Sequence, residues 1–207
     1  MMNFNRYICI DMIKKVLPSF FLFLLFGVAI SAQGFRGTAL IGTNIAQIDG
    51  DDWAGFDKFG ITAGGRLTYI TDNNIDFSLE MLYSQRGAAE KRFAKGDDKN
   101  INLNYFEVPL IVSLKDWSID NGSYFKVRAE AGLSFSYLFD IKNTRFAEEN
   151  FRKQDLSWLL GVGYQFSKRI GLGLRYTSSF LKIYNDPDTE TDILKSYFIT
   201  ARMEFYF

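Results

Sequence analysis

YFKVRAEAGLSFSYLF, Tyr124 to Phe139, alternates almost without a break. Phe125, Val127, Ala129, Ala131, Leu133, Phe135, Tyr137 and Phe139 share one parity; Tyr124, Lys126, Arg128, Glu130, Gly132, Ser134 and Ser136 share the other. Successive side chains of a strand point to opposite faces, so this stretch predicts a strand with one apolar and one polar face. On a helix the same residues would mix the two kinds around the whole circumference.

The pattern repeats outward in both directions. Strand-like segments fall at 35–46, 59–70, 75–87, 101–115, 123–139, 154–167, 169–182 and 195–207. The sixth sets Leu156, Trp158, Leu160, Val162, Tyr164 and Phe166 against Asp155, Ser157, Gly161, Gly163 and Gln165. Composition agrees: 21 Phe and 11 Tyr with only 3 Pro suit strands far better than helices. The connections alternate in length. Those at 71–74, 116–122 and 167–169 are short, whereas 47–58, 88–100, 140–153 and 183–194 are long and polar.

An even number of strands with short turns at one end and long connections at the other predicts an all-β, eight-stranded antiparallel up-and-down transmembrane β-barrel. Strands of about a dozen residues suffice for a tilted crossing. A soluble, lipocalin-like ligand-binding barrel also alternates, with its apolar face turned inward. The polar face favours the membrane reading. It combines Gly64, Gly132, Gly161, Gly163, Gly171 and Gly173 with isolated charges, as a narrow lumen would.

Residues 13–32, IKKVLPSFFLFLLFGVAISA, have the basic, apolar and small-residue regions of a secretory leader. The expected organisation is a signal peptide over 1–32, with Met12 as an alternative start, and a barrel domain over 33–207. Charges balance at 24 of each sign, which gives no reason to expect nucleic acid as a partner. There is no His, and the single Cys, Cys9, lies in the leader. That removes the usual general base and the thiol nucleophile, so an enzyme is not expected and no cofactor is implied.

Parity assigns to the lumen Arg66, Asp76, Glu80, Arg86, Glu107, Lys126, Arg128, Glu130, Asp155, Arg175, Arg202 and Glu204. Charges in a confined space are costly unless paired, and six of each sign can pair. The expectation is a lumen braced by ion pairs; a proton path or small-solute pore is the alternative. Pro109 cannot donate a ladder bond, so a bulge is expected there. The acidic segments at 184–192 and 49–57 lack the full ligand pattern of a calcium loop and are expected to be solvated tips.

Several stretches carry a resemblance: GFRGTALIGTN at 34–44, LEMLYSQRG at 79–87, NYFEVPLIVSL at 104–114, LGVGYQF at 160–166 and LGLRYTSSF at 172–180. With the terminal EFYF, they are similar to the PorT-type outer-membrane β-barrel family. The resemblance implies a barrel in the cell outer membrane of a diderm bacterium, with outer-membrane lipid around it. It also implies barrel-assembly machinery as a partner during insertion, reading a C-terminal signal of Tyr197, Ile199, Met203, Phe205 and Phe207. The namesake branch is tied to type IX protein secretion, so an envelope or secretion protein partner is a further implication.

Overall fold

The structure is a computed structural model, and it describes residues 34–49, 58–89, 100–119, 124–143, 151–181 and 195–207. The chain divides into Met1–Phe35 and Arg36–Phe207, and the barrel belongs to the second unit. The expected leader and both acidic segments lie outside the described residues, apart from Asp49.

Eight strands follow in chain order: β1 Phe35–Asp49, β2 Lys58–Ile70, β3 Ile75–Ala89, β4 Asn100–Ile119, β5 Tyr124–Asn143, β6 Gln154–Gln165, β7 Ile170–Ser179 and β8 Lys195–Tyr206. Each pairs with the next, and β8 returns antiparallel to β1 from Thr38↔Tyr206 to Asp49↔Lys195, closing the barrel. Closure leaves no strand edge unpaired along the seam, which a lipid environment requires of any sheet.

The wall is inverted relative to a soluble protein. Leu67, Phe77, Met81, Leu110, Leu133, Phe135, Leu160, Val162 and Leu174 are exposed on it. Arg66, Glu80, Arg86, Glu107, Arg175, Arg202 and Glu204 are buried within it. The lipocalin-like alternative needs the opposite arrangement and is overturned. An apolar belt of this extent would aggregate in water and is stable in lipid.

Two features depart from expectation. Pro109 makes no bulge. Its pairing with Ser134 of β5 stays in register, and the β3–β4 ladder runs from Leu79↔Leu110 to Leu82↔Glu107 without a shift. Only the partners at Glu80 and Met81 are missing, as loss of a single donor requires. The register shift lies instead at Asn104/Tyr105, where Asn104 pairs Asp140, Tyr105 pairs Leu138, and Phe139 is the extra residue.

The turn expected at 116–122 is also shorter. The β4–β5 ladder continues through Asp116↔Val127 and Ser118↔Phe125 to Ile119↔Tyr124. Ladder bonds come from backbone, so polar side chains beyond the apolar belt do not interrupt them. Trp117 sits in this extension at φ 62°, a left-handed backbone conformation costly for a bulky residue.

Candidate functional site

Among the described residues the lumen holds three groups of charges, stacked from the long-connection end to the short-turn end. The largest is central. Arg66 comes from β2, Glu80 from β3, Arg128 and Glu130 from β5, Arg175 from β7, and Arg202 and Glu204 from β8. Register sets their depth, since Glu130 lies opposite Gly161, which lies opposite Arg175, and Arg66 lies opposite Glu80.

Glu80 accepts from Arg66 Nε at 2.7 Å and from Arg175 Nη1 at 2.8 Å, with Arg202 Nη1 at 3.3 Å. Glu130 is met by Nη2 of Arg66 at 2.9 Å, of Arg175 at 2.9 Å and of Arg202 at 2.8 Å, and by Arg128 Nε at 3.2 Å. Glu204 accepts from Arg128 Nη2 at 2.8 Å, from Arg202 Nε at 3.1 Å and from the Tyr206 hydroxyl. Four guanidinium groups thus share three carboxylates, and every carboxylate bridges at least two strands. Several short charge-assisted bonds per group offset the large cost of taking these ions out of water.

Glycine makes the room. A Cβ at Gly163 would come within 2.5 Å of the Arg128 guanidinium, and one at Gly173 within 2.8 Å of Glu204 Oε1. A side chain at either position would force these charged ends to shift from where they lie.

The second group lies nearer the long connections. Arg86 donates to Glu107 at 2.6 Å, Asp155 at 3.3 Å, Ser136 at 3.1 Å and Ser84 at 3.3 Å. Ser134 donates to Glu107 at 2.8 Å, while Ser157 and Ser179 donate to Asp155 Oδ2 at 3.0 and 2.8 Å. The guanidinium carbon stands 4.7 Å from the Tyr105 ring and 4.2 Å from the Phe198 ring. Leu103, Leu138 and Ala46 are buried as well, so the inner face turns apolar toward this end.

At the short-turn end Lys115 Nζ meets Asp76 at 2.7 Å and lies 4.9 Å from the Phe125 ring.

Of the charges that parity assigned inward, Arg66, Glu80, Arg128, Glu130, Arg175, Arg202 and Glu204 meet in the centre, and Arg86, Glu107 and Asp155 meet above them. Asp76 pairs with Lys115. Lys126 joins none of these groups: its Nζ lies 4.8 Å from the exposed Trp117 ring. The same parity counted onward from Glu107 reaches Lys115, which the reading of sequence left out. Arg36, over the Tyr206 ring at 5.1 Å, was also left out. Tyr105, Phe198 and the serines carry no charge, so nothing in composition singled them out.

Of the C-terminal residues, Met203 and Phe207 are exposed on the outer wall, and Tyr197, Ile199 and Phe205 are half-buried. Among the described residues no cluster of His, Cys, Asp or Glu could hold a metal ion.

Comparison with known proteins adds the family. The model of the outer membrane protein beta-barrel domain family matches residues 21–185. Ail, the attachment invasion locus protein of Yersinia pestis, is similar with a TM-score of 0.48 and 12% identity, over 83% of this chain and 98% of its own. Neisserial surface protein A is similar with a TM-score of 0.48 and 15% identity, over 84% of this chain and 98% of its own. OprG from Pseudomonas aeruginosa follows with 0.41 and 14%, over 84% and 94%. No curated protein matches the chain.

Proposed function

The chain belongs to the outer membrane protein β-barrel domain family, as an integral barrel of the bacterial outer membrane, and we propose that it serves there as a non-enzymatic binding or scaffolding component of the envelope. One observation carries this reading: the central ion-pair network spans the lumen from β2 and β3 to β5, β7 and β8. A solute would have to break several buried pairs at once, each expensive to leave half-made. The absence of His argues in the same direction against hydrolytic chemistry. The working surfaces are then the two ends of the barrel and its outer wall.

In this reading the long connections face the cell exterior and the short turns face the periplasm. β8 is the strand that barrel-assembly machinery engages during insertion. The link to type IX protein secretion rests on the resemblance alone, and a secretion protein is one candidate partner.

The deciding experiment is conductance of the purified barrel in planar bilayers, expected to show at most rare, small events. Large, steady channels would establish a pore instead. Crosslinking in native membranes followed by pull-down then identifies the partner, and protease added to intact cells should cut the long connections first.

A further inference from the structure

The β6–β7 turn differs from the rest of the apolar wall. Phe166, Ser167, Lys168 and Arg169 link two strands rich in glycine, and the turn is tightly fixed. Ser167 Oγ accepts from the backbone N–H groups of Arg169 and Ile170 at 3.3 and 3.2 Å. The Phe166 N–H donates to the Ile170 carbonyl at 2.9 Å, and the Tyr206 N–H donates to the Arg169 carbonyl at 2.9 Å. Two consecutive cationic residues are thereby held at the short-turn rim, beside a hollow of about 670 Å³ that Ile170, Phe205 and Phe207 complete.

Directly along the wall from this hollow is a second, of about 430 Å³, lined by Val127, Val162, Leu172, Leu174 and Ala201. Register places the two in line on one strand pair: Ile170 pairs Phe205, Leu172 pairs Met203, and Leu174 pairs Ala201. Ala201 and the valines are short beside Met203 and Tyr164, and the wall is dented where they lie. Each hollow falls in the size range of ligand sites, roughly 300–1,000 Å³.

We propose that the basic turn and the dent form one binding site for an anionic glycerophospholipid. Its phosphate lies against Lys168 and Arg169, and one acyl chain runs along Leu172, Leu174 and Ala201. Charge complementarity selects the head group. The dent gives one chain a shaped seat. The site rests on the reading that the short turns face the phospholipid leaflet, but binding itself can be measured without reference to orientation.

The test uses the full barrel, purified in detergent and examined by native mass spectrometry with phosphatidylglycerol and phosphatidylcholine of equal chain length. Phosphatidylglycerol should be retained several-fold more. The double variant Lys168→Ser/Arg169→Ser should abolish that preference while leaving weak retention of both lipids. Ala201→Trp, which fills the dent, should reduce retention of both. With wild-type protein, phosphatidylglycerol carrying a photoreactive acyl chain should label β7 and β8 near Leu172 and Ala201, so the test survives a variant that fails to fold.

Equal retention of the two lipids, or label spread evenly round the wall, would overturn the site. So would a crosslinked dimer joined through Leu174 and Ala201, since a second copy would then occupy the dent. A barrel that prefers phosphatidylglycerol but whose short turns are cut first in intact cells keeps the site and loses the proposed orientation.

Discussion

The central network and the Arg86 cluster solve one problem in two ways. Both bury carboxylates inside a narrow barrel. In the centre, four guanidinium groups surround three carboxylates, and Glu130 alone has four cationic partners. Around Arg86 a single guanidinium serves Glu107 and Asp155, and serine hydroxyls supply the other described donors. The first arrangement is redundant. The second hangs on one residue. Buried ion pairs are therefore of unequal structural importance, and the number of partners rather than the number of charges ranks them.

The largest effect should come from Arg86→Met, which leaves two carboxylates without a counter-ion. A loss of about 3–5 kcal/mol is expected for breaking a buried pair, read from urea unfolding in lipid vesicles. Adding Glu107→Gln should recover part of it, which a double-mutant cycle measures.

Next is Ala129→Arg, which adds a cation to the outer face of β5, the strand of Arg128 and Glu130. At mid-bilayer nothing solvates it, and roughly 2–4 kcal/mol should be lost. A harmless outcome would mean that the outer wall is not the lipid face, and the contrast between the two clusters would lose its basis.

Arg175→Met should cost less, about 1.5–3 kcal/mol, on the scale of hydrogen bonds to charged groups. Glu80 keeps Arg66 and Arg202, and the centre is left with three cations for three anions. If its cost equals that of Arg86→Met, redundancy is not what protects the centre. The mildest change is Ser157→Ala, about 1 kcal/mol, because Ser179 and Arg86 still reach the same Asp155 oxygen. A loss as large as that of Arg86→Met would show that the hydroxyls, rather than the guanidinium, hold the cluster.

The alternation from Tyr124 to Phe139 was enough to separate the two faces, because a strand has no freedom in where successive side chains point. Depth was not legible. Parity places Glu130 and Lys126 on one face, yet only the ladder through Gly161 to Arg175 shows that Glu130 sits among arginines. Lys126 sits at the rim beside Trp117. The apolar filling by Leu103, Tyr105, Leu138 and Phe198 was hidden for the same reason. A period of two distinguishes faces but does not say that one face changes character along the axis. Pro109 misled because a missing donor suggests displaced backbone, and here the two strands keep register across the gap. The turn residues of 116–122 misled because polarity marks the limit of the apolar belt, not the end of the ladder.

The seam between β1 and β8 has a meaning in time as well as in space. The Thr200 hydroxyl donates to Asn44 at 2.7 Å across a sequence separation of 156 residues, so this contact belongs to the slowest class of ring closure. Arg202 and Glu204 arrive on that last strand, and until it docks, Glu80 and Glu130 lack some of their partners. A half-assembled sheet would expose Arg128 without its Glu204 partner, and the central network incomplete, to hydrocarbon. Zipping the seam and completing the interior network are thus a single event, and an insertion route for this chain must shelter the open sheet until its final strand is in place.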